Sequence, residues 1–164
     1  MSEESSLTMK RNSAAHVRLV LWRANKAVEK VEQAHLQSLG LGLSDFAIME
    51  VLLHKGDLPV NVIGEKVLLT SGSITTAIQR LEEKGWVVRE KSAQDRRVVC
   101  VTLTASGREL IEALFAKHVN RLEEVTSILS ETEQGQLIAL LKKLGRHASA
   151  TVGHDATKES QVNR

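Results

Sequence analysis

A chain of 164 residues has the length of one compact domain with a self-supporting core, and its formal net charge of +2 is too small to dictate a polyanionic partner by itself. Hydrophobic residues make up 42% and charged residues 26%, while one Pro, two Phe, two Trp and no Tyr point to a mainly helical, aliphatic interior. A single cysteine, Cys100, excludes an intramolecular disulfide, and the opening MSEESSLTMK lacks the apolar centre of a signal peptide, so a cytoplasmic location is expected. No apolar run approaches the ~20 residues needed to cross a bilayer, and no membrane partner is expected.

Residues 1–11 read as a flexible N-terminal tail. From about Asn12 to Leu39, Val17, Leu21, Ala24, Val28 and Val31 recur at alternating steps of four and three, which predicts a long helix with a heptad-like seam that Gly40 and Gly42 end. Ser44 is a candidate N-cap for a short second helix carrying Phe46, Ile48, Met49, Leu52 and Leu53, with Gly56 beyond its end. Pro59 can pre-set the first turn of a third helix whose buried side is Val62, Ile63, Val67 and Leu68.

After a polar junction at Leu69 to Gly72 comes TSGSITTAIQRLEEKG, a helix with Ile74, Ile78 and Leu81 pointing inward and Gly85 as its stop. The texture then changes. WVVRE and RRVVCVTLT are β-branched runs separated by the polar segment KSAQD, the pattern of a hairpin. Thr104 is the expected cap of a helix from about Ala105 to Leu129, and Ser130 with Glu133 forms a capping box for a last helix through Leu144. Beyond His147 the polarity is mixed and periodicity is lost, so 148–164 reads as a mobile tail. No internal repeat is visible.

The helix from Thr70 to Gly85 carries Gly, Ser, Thr and Gln where an ordinary solvated helix carries Lys and Glu. On a helical wheel Gly72, Thr76 and Gln79 lie opposite the apolar stripe, with Ser73, Thr75 and Arg80 on its shoulders. Short donors and acceptors let a helix sink into a DNA major groove about 12 Å wide. Ser71, Ser73 and Thr76 can also bond phosphates at the helix N-terminus, where amides and the dipole favour anions. A merely short polar surface is the rival reading of the helix alone; the order helix, turn, helix, β-hairpin decides against it. At the hairpin tip, Gln94, Asp95, Arg96 and Arg97 place two guanidinium groups on a protruding loop, suited to a narrow minor groove, although a solvated turn with an ion pair is the preferred reading of the tip taken alone. The Asp95 carboxylate, two residues before Arg97, can hold that fork in position.

These residues carry a resemblance. The segment LLTSGSITTAIQRLEEKGWVVREKSAQDRRVVCVTLTASGREL resembles the MarR family of winged helix-turn-helix transcription regulators, with its D-x-R wing motif at Asp95, Arg96 and Arg97 and its T-x-x-G-R from Thr104 to Arg108. HKGDLP followed by VLLTSGSIT is similar to the branch of that family that responds to quinones and other phenolic electrophiles. The resemblance implies a mainly α fold with a small β-hairpin wing: a winged helix-turn-helix domain at 41–104 and a helical dimerisation region at 12–40 and 105–147. It further implies a homodimer that reads a pseudo-palindrome in double-stranded DNA and represses until a small ligand or oxidation releases it. Effectors in this family lodge between the dimerisation helices and the winged domain, which would place Leu19, Trp22, Arg23, Phe46, Met49 and Phe115 near a pocket; plain core packing is the competing reading of each. The aliphatic seam of the first helix and the stripes of the last two favour a dimer independently, since one small domain cannot cover them.

Cys100 alternates within an apolar run, so a buried inert thiol is the preferred reading, with a redox role left open. Redox-sensing relatives carry their cysteine near the start of the first helix, where this chain has Ala14, Ala15, His16 and Val17. The six histidines, at 16, 35, 54, 118, 147 and 154, show no metal-ligand spacing, and His35 and His118 read as satisfied core or interface residues. No phosphate loop, nucleophile elbow or H-E-x-x-H is present, so neither an enzyme nor a cofactor is expected. The alternative to a DNA-binding regulator is a winged-helix protein–protein adaptor.

Overall fold

The computed structural model describes residues 13–91 and 95–162, with side chains through 151 in the last helix; the N-terminal tail expected at 1–11 and the hairpin-tip Gln94 lie outside the described residues. The chain divides into two compact units, one running through Leu122 and one from Glu123 onward. Six helices and a small antiparallel sheet make up the described structure, a mainly α fold with a β-wing. Among the described residues no single helix is long and apolar enough to cross a membrane.

In the first unit, helix α1 (Ala14–Ser38) is capped by Ser13, whose hydroxyl accepts from the His16 N–H at 3.1 Å. Its only fully buried residue is Leu36, near the C-terminal end, while Val17, Leu21 and Ala24 of the seam are exposed, Val28 and Val31 are half-buried, and Val20 and Trp22 beside the seam are exposed. Helix α2 (Leu43–Lys55) starts two residues earlier than expected: Gly42, not Ser44, is its N-cap, and no side chain caps it. Ser44 instead turns its hydroxyl to Arg80, for a reason that belongs to the site below.

Helix α3 (Val60–Val67) has Pro59 as its N-cap, in extended backbone just before the first turn in which it was expected, and Leu58–Pro59 forms a two-residue strand, β1, absent from the sequence reading. Two residues carry no alternation, so only their distant ladder partners reveal them: Leu58 opposite Val101 and Pro59 opposite Cys100. Leu68 does not belong to the buried side of α3. The helix ends at Val67, Leu68 adopts the left-handed conformation (φ 56°), and its side chain is 91% exposed.

Helix α4 (Ser71–Glu83) buries Ile74, Ala77, Ile78 and Leu81 in the core with Phe46, Ile48, Met49 and Leu52 of α2 and Ile63 of α3. Fully burying each large aliphatic residue contributes about 1.5–3 kcal/mol, enough in sum to fix which face of α4 looks outward. A Schellman motif closes the helix: Trp86 N–H donates to Leu81 O at 3.0 Å and Gly85 N–H to Glu82 O at 2.8 Å, with Gly85 at φ 71°.

Strands β2 (Val87–Lys91) and β3 (Val99–Leu103) form the hairpin, in the order β1-β3-β2, with Val87 and Val101 buried beneath it. Cys100 is buried in β3, as its alternation predicted. The junction from wing to helix α5 (Ala105–Thr126) is tight. Thr104 Oγ1 accepts the Gly107 N–H at 3.0 Å and donates to Gly85 O at 2.7 Å, while Thr104 N–H donates to Trp86 O at 3.0 Å. A Cβ on Gly107 would sit 1.9 Å from Trp86 O, so only glycine fits.

Farther along α5, His118 is buried, its ring 4.4 Å from that of Phe46 and its Nε2 3.5 Å from Glu32. His118 Nδ1 and His35 Nε2 have no hydrogen-bond partner among the described residues, so the expectation that both histidines are satisfied is not met.

In the second unit, helix α6 (Glu131–Val162) opens with the expected capping box: Ser130 N–H donates to Glu133 Oε2 at 2.9 Å and Glu133 N–H to Ser130 Oγ at 3.4 Å. The Ser130 N–H and hydroxyl hold the Glu133 pKa below its usual value. That carboxylate therefore supports the cap above the ordinary glutamate range and loses it as pH falls through the lowered value. The helix continues well past His147, where sequence periodicity ends. Periodicity locates a buried face, not helicity, and residues 148–162 contain helix-favouring Ala, Lys, Glu and Gln and no Pro.

The junction yields a stability prediction. Gly107→Ala forces its methyl into the Trp86 carbonyl, and overpacking of this kind costs about 1–3 kcal/mol or more. Tm by circular dichroism should fall by roughly 5 °C or more, whereas Gly135→Ala, where nothing lies within 4 Å of the added atom, should not lower it.

Candidate nucleic-acid interface

With the stripe of α4 buried, its opposite face is fixed outward. Ser71, Gly72, Ser73, Thr75, Thr76 and Gln79 are all exposed, as the helical wheel predicted. Thr70 caps the helix: its hydroxyl accepts the Ser73 N–H at 3.4 Å and donates to Ser73 Oγ at 2.9 Å. Thr75 Oγ1 donates back to Ser71 O at 2.9 Å and Thr76 Oγ1 to Gly72 O at 3.1 Å. Those two hydroxyl protons are therefore used inside the helix, and the threonines present oxygen lone pairs and methyl groups to the outside. Lone pairs suit the amino groups of adenine or cytosine, and methyls suit the thymine methyl. Gln79 Nε2 donates to Glu83 Oε1 at 3.2 Å.

Arg80, grouped on the wheel with the outward shoulder, is drawn instead to α2. Its Nε donates to both Asp45 carboxylate oxygens, at 3.1 and 3.0 Å; its Nη2 meets Asp45 Oδ1 and lies 3.5 Å from Ser44 Oγ. Asp45 is 2% exposed, and Lys84 Nζ lies 3.7 Å from its other oxygen. The Asp45 hydrogen bond, above all, raises the Arg80 pKa further above its already high value, so Arg80 stays charged. Asp45 was missed as a site residue because, in the first turn of a helix, an acid is already accounted for by the dipole. Its partner lies 35 residues away.

Between the start of α2 and the outer face of α4 lies an open groove of about 620 Å³, lined by Ser44, Leu69, Thr70, Gly72, Ser73, Thr76, Ala77 and Arg80. Hydroxyls and one guanidinium dominate its polar lining. At the wing, Asp95 accepts from Arg97 at three points: the backbone N–H at 3.0 Å, Nε at 3.2 Å and Nη2 at 3.2 Å. The Arg97 side-chain hydrogen bonds, then its backbone N–H, hold the Asp95 pKa below the usual aspartate value. The clasp is thus complete above the ordinary aspartate range and opens only as pH falls through the lowered value. Arg97 remains 91% exposed beyond its anchor, and Arg96 is exposed beside it. Arg89 of β2 pairs with Glu82 of α4 at 2.7 Å, tying the wing's base to the helix.

The six residues named for an effector site divide by exposure. Phe46 and Met49 are sealed in the core, Leu19 and Phe115 are half-buried, and Trp22 and Arg23 lie on the exposed surface of α1. Phe115 packs edge-on against His54 at 4.9 Å. Among the described residues no cluster of three or more His, Cys, Asp or Glu is arranged to hold a metal ion.

Comparison with known proteins agrees with this geometry. The family model described as transcriptional regulator SarA/Rot matches residues 30–114. The HTH-type transcriptional regulator MhqR of Bacillus subtilis is 38% identical over 130 residues, covering 79% of this chain and 90% of that protein. Among solved structures, a MarR mutant from E. coli complexed with operator DNA aligns with TM-score 0.70 at 24% identity, over 78% of this chain and 92% of that one. NadR in complex with 4-hydroxyphenylacetate aligns with TM-score 0.70 at 24% identity, over 82% and 98%. These relatives are regulators rather than enzymes, and the chain belongs to the MarR/SarA family of winged helix-turn-helix, DNA-binding transcriptional regulators.

Proposed function

We propose that the protein is a homodimeric repressor that binds a pseudo-palindromic operator and is released by a small phenolic or quinone-like ligand or electrophile. The observation that carries this reading is the outward face of α4, kept short and polar over Ser71, Gly72, Ser73, Thr75, Thr76 and Gln79 while the stripe behind it is buried. In this reading those residues enter the major groove, and Arg96 and Arg97 reach the flanking minor groove, where negative potential attracts guanidinium. Asp95 acts by limiting where Arg97 can point.

Exposed aliphatic surface supports the dimer. Val17, Val20, Leu21 and Trp22 on α1 are 39–54% exposed, and Leu137, Ile138, Leu140, Leu141 and Leu144 on α6 are 42–65% exposed. Stripes of this size on two separate elements are a liability in a monomer, and a two-fold interface is the commonest way to bury them. The ligand class is supported by the similarity of HKGDLP and VLLTSGSIT to the quinone- and phenol-responsive branch, and by the phenolic acid held by the NadR structure. The half-buried Leu19 and Phe115, with Trp22 and Arg23 on α1, are the accessible members of the proposed effector site. The adaptor reading has no observation in its favour.

The wing assignment predicts that Arg97→Ala weakens operator binding about tenfold and flattens its salt dependence, read by fluorescence anisotropy at several salt concentrations. Unchanged affinity and slope would remove Arg97 from the interface. Selection from a random DNA pool should return an inverted repeat with half-sites about one turn, ~34 Å, apart, or a multiple of it. The mass in solution should be twice the 18.1 kDa of the chain, and an asymmetric site bound by a monomer would refute the dimer.

A further inference from the structure

Asp45 is a buried carboxylate that the readout of DNA described above does not use. A buried ion pair is a poor means of stabilising a fold, since apolar residues of similar volume often do as well or better. Its presence there is accounted for by another role, which the surroundings supply. Arg80 forms a wall of the open groove beside α4, whose other polar lining residues are Ser44, Thr70, Ser73 and Thr76. None of the described residues that line the groove is a carboxylate, and among the described residues nothing lies within 4 Å of where a Cβ on Gly72 would stand. One buried carboxylate is shared by two cations, Arg80 and Lys84, with the Glu83 charge also acting on Arg80, and the Arg80 guanidinium is the charged group that lines the groove. The Ser44 and Ser73 hydroxyls, which accept from Arg80 and Thr70 and keep their own protons to give, together with one fixed cation and an open shape, match a phosphodiester oxygen.

We propose that Asp45 is a positioning residue of the DNA interface: it locks the Nε–Nη2 edge of Arg80 so that the guanidinium stands in the groove as a phosphate contact. Ser44 then belongs to the same seat. With its Nε–Nη2 edge held by the carboxylate, Arg80 has its remaining Nη protons for a phosphate oxygen of the backbone. It contributes to affinity for every sequence alike. This rests on the reading of α4 as the helix that enters the groove.

The test exploits a conflict of sign. Asp45→Asn removes a negative charge beside a polyanion, so charge alone predicts tighter binding, whereas loss of positioning predicts weaker binding. Anisotropy titrations of the full-length protein would use its selected operator and an unrelated duplex. The expected result is a loss of about tenfold on both duplexes, with the salt slope smaller by about one phosphate contact. Arg80→Lys keeps the charge but lacks the fork, and should show the same loss; its side chain is 41% exposed, so it serves if Asp45→Asn fails to fold by circular dichroism. Unchanged or tighter binding by the folded variants overturns the proposal, as does a loss confined to one base-pair position, which would make Arg80 a base reader. If wild type itself shows no salt-dependent binding to any duplex, the groove-binding reading falls as well.

Discussion

Everything the outer surface of α4 can do depends on the burial of its inner one. Ile74, Ala77, Ile78 and Leu81 leave that helix a single way to lie against α2 and α3, because rotating it by one residue would expose isoleucines and bury threonines. At about 25 cal/mol per Å² the apolar stripe outweighs any preference of the polar face, so orientation is settled by the side that never meets DNA. The Schellman turn at Gly85 then sends the chain directly into the wing, and Thr104, Ser106 and Gly107 close over Gly85 and Trp86. Helix and wing are thus two products of one packing decision.

Electrostatics works differently at the two arginines. Arg97 is solvent-exposed, and its link to Asp95 contributes little to stability, since exposed pairs are screened by water and salt. What the link does is reduce the directions in which a long side chain can point. Arg80 is tied to a carboxylate removed from water, where separating the partners is costly because one charge stays buried. One clasp narrows the search of a surface side chain, and the other fixes a helix-borne cation against its neighbour α2. In neither case is the ion pair what holds the domain together.

Much of this was legible in the sequence because it is encoded locally. The α4 stripe, the Ser130–Glu133 box, the Thr104 cap and the Asp95–Arg97 contact all join residues within a few positions of each other, and all appear in the structure. What escaped is encoded at a distance or in a single dihedral angle. Strand β1 exists only because Val101 and Cys100 lie beside it. The Asp45–Arg80 tie spans 35 residues, so the arginine was read from its place on the helical wheel alone and Asp45 was not singled out. Leu68 continued an apolar pattern but falls one residue past the end of α3, where a left-handed backbone throws it into solvent. The length of α6 was underestimated because amphipathicity was taken as the measure of helix.

The back-bonded threonines on α4 bear on the thermodynamics of association. A flexible lysine or glutamine must surrender rotational freedom when it is captured, about 1.5–2 kcal/mol at most for the longest side chains. Thr75 and Thr76 have already given up theirs to the helix carbonyls behind them. A complementary surface meeting them need not freeze anything, so contact there carries a small entropic penalty and a mismatched surface finds little slack with which to adjust.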